Sequence, residues 1–582
     1  MDFLMVKKEQ NRLMVVMMDI SMKMNGFFYR NTIFTMAFLC LNLVGFNLFC
    51  QEDNLVKEVQ VVRPYEPSIS DAFKINQMPK VEDTLFVAPQ FSYNLALRPT
   101  TIDFPVKPIP SAKMVAEPLT KIYKGYVKAG FGNYSSPLAE VYFGSSRSKG
   151  YSYGAYLMHN SSFGKVRLDN NDKVEAPFSS TVLSVYGKKI FQQSSLAGSI
   201  GFKHNGYNFY GYDTTANLAT ANITHPDQMQ RLITLSALFR STHSDSLHLN
   251  YNTRAGFTNF ADKFGMAQNS VNVKAHADKF FRVERVGGEM ELIHHAHSPE
   301  LDSVGNTLFN LSPWIGFFGK QWRVKAGVGF TLDANRHGNE AHFYPIGQLS
   351  YDIISHYVIP YVEFGGYLEN NSYSKIIAEN PWIEPGLRVW NTSHKYIMLG
   401  GVKGNLSAKM AYNLSASYSL VDSMFFFVNK FNTGEDYLQN TFGVVYDNVQ
   451  HKQVMGELTF APTARIKLFA QAEYHAYTLQ DIEKPWHKPN FVGRISASYN
   501  MQDKLMFKAS FFAEGKRFVQ TAEGSPLEID GLLDFNLSAE YRYNSRVSAF
   551  LDLNNISGNR YHVWYLYPVQ QFNMRLGLTY SF

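Results

Sequence analysis

The sequence predicts an all-β protein: a transmembrane antiparallel up-and-down β-barrel of about 22 strands, closed by its C-terminal strand and preceded by a short Pro-rich segment. Three observations carry that prediction. First, Phe572, Met574, Leu576, Leu578, Tyr580 and Phe582 occupy every second position at the chain end, with Asn, Arg, Gly, Thr and Ser between them. A period of two gives a strand with one apolar and one polar face, and a long apolar edge is tolerated where a closed sheet leaves no edge. Second, the same alternation persists from Lys121 onward, over strands too long and too numerous for a soluble sandwich. Third, aromatic residues make up 15% of the chain, with 46 Phe and 35 Tyr, yet mean hydropathy is only −0.21. Opposed faces cancel in such an average, and aromatic girdles at both interfaces raise the ring count.

Residues 1–50 read as an export signal. Lys23, Met24 and Arg30 precede the apolar run from Ile33 to Cys50, which is too short and too late for a spanning helix. Met22 or Met24 serves as well as Met1 for the start. Cleavage after Cys50 leaves Gln51 first; the alternative, lipidation of Cys50, is disfavoured by the bulk of Phe49. Cys40 and Cys50 are the only cysteines. A mature chain without them has no disulfide, thiolate metal site or cysteine nucleophile. The formal charge of +6 includes this leader, so it points to no acidic partner, and no nucleic acid is expected as one.

Residues 51–120 hold nine of the 23 prolines. Proline removes ladder donors and fixes φ, so this stretch is an extended segment, periplasmic or luminal, and not a run of strands. Its β-prone piece, Leu55 to Val62, suits pairing with a partner's edge or a tether with no partner. Arg63, Tyr65 and Glu66, framed by Pro64 and Pro67, are candidate contacts to a charged lumen wall.

Residues 121–582 form the expected barrel. Trp322, Val324, Ala326, Val328, Phe330 and Leu332 oppose Arg323, Lys325, Gly327 and Gly329; the runs from Ile466 and from Leu505 alternate likewise. Short turns such as 192–195, 319–321, 463–464 and 544–545 take turns with longer polar loops such as 161–176, 211–228, 369–391 and 520–529. Short turns belong to the periplasmic side and long loops to the outside. Up-strands starting near 121, 149, 194, 246, 284, 321, 356, 407, 464, 503 and 546, each with a return, give the count of about 22.

The turn Leu551-Asp552-Leu553-Asn554-Asn555-Ile556-Ser557-Gly558-Asn559-Arg560-Tyr561, then Tyr567-Pro568 and the final strand, resembles the close of TonB-dependent outer-membrane receptors. The resemblance covers roughly residues 121–582. It implies an integral outer-membrane protein of a Gram-negative cell, engaged in uptake or transport. Surface lipoproteins or other outer-membrane subunits are the partners it suggests, with membrane lipids around the barrel. The spacing of Arg575, Gly577, Tyr580 and Phe582 is similar to the insertion signal read by barrel-assembly machinery. The family's folded plug, however, is longer than residues 51–120 and glycine-rich, and no glycine lies between Gln51 and Thr120. The plug is therefore missing or strongly reduced. The alternative reading is a plugless barrel serving as a structural subunit of an assembly or secretion complex.

No site of chemistry stands out. His295 and His297 share one strand face beside His294, a pair short of the third ligand a metal needs. Trp486-His487, between Pro485 and Pro489, reads as part of the interfacial aromatic belt. No phosphate loop, dinucleotide fingerprint or metalloprotease helix is present. Neither a cofactor nor enzymatic activity is expected.

Overall fold

A computed structural model describes residues 123–145, 148–212, 226–242, 248–282, 284–299, 301, 306–335, 338–431 and 440–582. The chain divides into two units, Met1–Lys113 and Met114–Phe582. Leu55 to Val62 and the candidate contacts Arg63, Tyr65 and Glu66 lie outside the described residues.

One antiparallel sheet of 22 strands runs through the second unit. Gly125–Gly132 pairs with Asn573–Ser581, so the first strand meets the last and no edge is left. Eleven strands lead away from the short turns, beginning at Gly125, Tyr151, Ser194, Asn250, Glu284, Trp322, Ile359, Met410, Ile466, Leu505 and Val547. Each starts within a few residues of its expected position. Among the described residues no helix is long and apolar enough to cross a membrane; the strands do the crossing.

The alternation sorts side chains as expected. On the last strand Leu576 and Leu578 are 58% and 61% exposed, and on other strands Ile200, Met398 and Leu414 behave alike. Leaving such area in water costs about 25 cal/mol per Å², so this face belongs in hydrocarbon. Inward positions are polar and bonded along the wall. Tyr361 donates to Asn413 (2.8 Å), whose amide donates to Glu457 (3.2 Å), which also accepts from Gln471 (3.4 Å).

The closing seam explains two glycines. The Phe550 ring lies inside, across the Gly130–Gly577 pair, and Lys128 sits 4.3 Å over its centre. A Cβ on Gly577 would stand 2.1 Å from the Ala129 carbonyl and 2.6 Å from that ring. Arg575 points inward to Asn160 (2.8 Å), while Tyr580 and Phe582 stack outside with centroids 6.3 Å apart. The Phe582 backbone exchanges two bonds with Gly125, at 3.0 and 3.2 Å.

Two strands outgrow the rest: Met410–Phe431 with 22 residues and Asn440–Thr463 with 24. A bilayer crossing needs only about 9–11 residues, so this hairpin rises far above the membrane on the long-loop side.

Candidate functional site: the long-loop mouth

The outgrown hairpin does not stand in solvent. Its ladder slips between Val421 and Met424, and Ser423 there takes the left-handed conformation at φ 54. A bulge of this kind bends a strand and raises its twist. Beyond it Phe425, Phe426, Phe427 and Val428 are all at most 7% exposed. Consecutive residues point to opposite faces, so both faces are covered. Phe425 and Phe427 pack with Phe442, Tyr567 and Ile383, whereas Phe426 and Val428 pack with Val449 and Trp486.

The first covering piece is the loop 370–391. Its helix, Tyr373–Glu379, is opened by Ser372, whose hydroxyl accepts the Lys375 N–H at 3.3 Å, and buries Tyr373, Ile376 and Ile377. Asn371 anchors the loop by donating to the Trp390 carbonyl and to Thr392, both at 2.9 Å. The loop then reaches a distant wall. Tyr207 donates to the Pro381 carbonyl (2.5 Å), and Trp382 Nε1 donates to the Asn208 carbonyl (3.0 Å). Ser194–Asn208 is the fifth strand of the ring and Ile359–Glu369 the thirteenth. Bonds between them cross the mouth.

The second piece is the loop 555–572. Tyr567 donates to the Asn440 carbonyl (2.7 Å), and Tyr210 donates to the Pro568 carbonyl (2.9 Å). Arg517 donates to the Val563 carbonyl (2.6 Å) and Arg560 to the Leu168 carbonyl (2.7 Å). Trp382 stacks on Tyr567 with centroids 4.1 Å apart, joining the two loops. A third loop, 480–490, is held by Asp447. This buried carboxylate accepts the backbone N–H groups of Gln480, Asp481 and Ile482 at 3.0–3.1 Å. Together these pieces make a cap with an aromatic core.

Burial sets the charge states inside the cap. His487 Nδ1 donates to the Phe427 carbonyl (3.0 Å), and burial pushes its pKa down to about 3, so the imidazole is neutral. Burial likewise raises the Tyr373 and Tyr567 phenols well above their usual range. Arg517 is depressed by burial, with Glu514 as its opposing carboxylate.

The structure corrects one expectation and places the histidines of another. Trp486 and His487 are not in the interfacial belt: both are about 5% exposed or less, inside the cap, because the Asp447 clamp turns their loop inward. His295 and His297 do share a face, their rings 6.1 Å apart, but His295 is occupied with Ser270 (2.7 Å) and Asn370 (2.8 Å). His294 turns away to Thr307. Among the described residues no group of three His, Cys, Asp or Glu is placed to hold a metal. The cap core itself went unread in the sequence. Its signal was the unbroken run Met424-Phe425-Phe426-Phe427-Val428, where alternation fails.

No protein-family profile matches the sequence, and no curated protein matches it. Solved structures do. The FrpB iron transporter from Neisseria meningitidis aligns with a TM-score of 0.63 at 9% identity, covering 80% of this chain and 82% of that one. The siderophore receptor PirA from Acinetobacter baumannii gives 0.58 at 11% identity, covering 80% and 81%. The pyoverdine receptor FpvA from Pseudomonas aeruginosa PAO1 gives 0.58 at 12%, covering 80% and 79%. These neighbours are named as transporters and receptors, and at such identities the likeness is one of fold. A closed ring of 22 strands with an apolar outer face and a polar inner wall makes this chain an integral outer-membrane protein with the barrel fold of the TonB-dependent receptors.

Proposed function

We propose that the chain is a transport-type barrel of the outer membrane, gated at its long-loop mouth by its own cap. The observation that supports this reading most is the aromatic cap bonded from wall to wall above a polar inner face. A charged, bonded wall suits a water-filled path, and a cap held by hydrophobic contacts and a few crossing bonds suits a closure that yields to a ligand. The iron and siderophore named for the neighbours support a cargo among the solutes taken up across the outer membrane. Residues 51–120 enter the reading as a reduced plug, a part tested separately by deleting 51–115 and measuring single-channel conductance.

The depth of the cap's packing favours a second reading, in which the barrel is a permanently shut structural subunit. Phe426, Phe427, Phe442 and Ile376 are wholly buried, and opening costs about 1.5–3 kcal/mol for each such side chain exposed. An affinity pull-down of the tagged full chain from gently solubilised outer membranes, read by mass spectrometry, separates the two. Recovery of energy-coupling proteins and a surface lipoprotein supports transport. Recovery of assembly or secretion components replaces it with the structural reading.

A further inference from the structure

Beside the cap, Lys165–Arg167 and Lys173–Glu175 form a small hairpin within the loop that follows Tyr151–Ser162. One face is apolar: Val166 and Val174 stand opposite each other and pack with Leu168, Ala176 and Tyr212. The other face carries four charged side chains. Lys165 meets Glu175 at 3.3 Å, but Arg167 stands directly opposite Lys173. Like charges so placed, with Cβ atoms about 4.5–5.5 Å apart, destabilise a hairpin.

Among the described residues no carboxylate relieves them. Glu175 is taken by Lys165, Asp169 faces Arg560 and His562, and Asp172 accepts from Asn170 and Tyr212. Among the described residues neither Arg167 nor Lys173 forms an ion pair. Both side chains are exposed, as on any solvated hairpin face, but they also border a concave site. With Tyr134, Val569 and Gln571 they line a pocket of about 340 Å³, built from three separate parts of the chain.

We propose that this pocket binds a phosphoryl group. Arg167 offers a planar fork that matches phosphate oxygens and Lys173 a point charge, so a phosphate dianion offsets both cations at once. Two sources present that group at this face: the headgroup of a membrane lipid and a soluble phosphate ester.

Purified full-length protein in detergent is titrated with radiolabelled inorganic phosphate by equilibrium dialysis. Parallel samples in nanodiscs containing phosphatidylglycerol are examined by native mass spectrometry. The comparison set is the Arg167→Gln/Lys173→Gln double variant, Lys173→Glu, and Lys320→Gln on an exposed short turn. Lys173→Glu gives Arg167 an ion-pair partner, so it keeps the hairpin folded while removing the site. Saturable phosphate binding, weaker by about tenfold or more in the first two variants and unchanged in the third, establishes the site with a soluble source. Retained phosphatidylglycerol that the first two variants lose, without inorganic phosphate binding, establishes it with a lipid source. Equal behaviour of all four proteins in both assays overturns the proposal.

Discussion

His487 gives the cap a pH dependence whose sign follows from burial. In the closed cap the imidazole stays neutral down to about pH 3, whereas an imidazole exposed by opening titrates near pH 6.5. The open state therefore gains a proton that the closed state refuses. The stability His487 confers is complete above about pH 6.5 and is lost as pH falls toward 3, by up to about 1.4 kcal/mol per unit. Hydrogen exchange at residues 424–431, taken relative to the intrinsic rate at each pH, is expected to show a growing excess as pH falls from 6.5 to 4.5. His487→Gln should remove that excess; if the excess persists, another group carries it. Nearby side chains rank by mechanism. Tyr567→Phe deletes the bond to the Asn440 carbonyl and costs about 0.5–1.5 kcal/mol, while Phe427→Ala opens a cavity and costs about 3–5 kcal/mol. The frequency of channel openings in planar bilayers should follow that order.

At the scale of elements, the sequence spelled out the strands because lipid on one side and water on the other impose a period of two on each crossing. The eleven strand starts followed from that period together with the alternation of short turns and long loops. The cap obeys a different rule. Met424 to Val428 is buried on both faces only because loops from elsewhere in the chain cover it, and no local period encodes such cover. Trp486 looked interfacial for the same reason: an aromatic beside a loop is ambiguous until Asp447 turns the loop inward. The cap is expected to be separable from the barrel. Replacing residues 373–389 with a short Gly-Ser linker should leave the heat-modifiable gel mobility of a folded barrel intact and raise its conductance in bilayers. Unchanged conductance would mean that the loops 480–490 and 555–572 close the mouth without it.

At the scale of the whole molecule, closure depends on a seam with no room to spare. Gly577→Val places side-chain atoms against the Ala129 carbonyl and the Phe550 ring, so the ring of strands should fail to close and the heat-modifiable band should disappear. A companion Phe550→Ala change removes only one of those two clashes, and only partial recovery is expected from it. The seam and the cap are also linked through distance along the chain. Tyr207 and Pro381 are 174 residues apart, Arg560 and Leu168 are 392, and Gln570 and Ser162 are 408. Joining such remote pieces in an open chain carries a heavy loop-closure cost, which the finished ring has already met. The cap is therefore expected to assemble after the barrel has closed. An incompletely inserted molecule would display its uncapped phenylalanines, a greasy marker for chaperones and proteases, while a completed one hides them, so the rings at the core of the cap would also certify that biogenesis is finished.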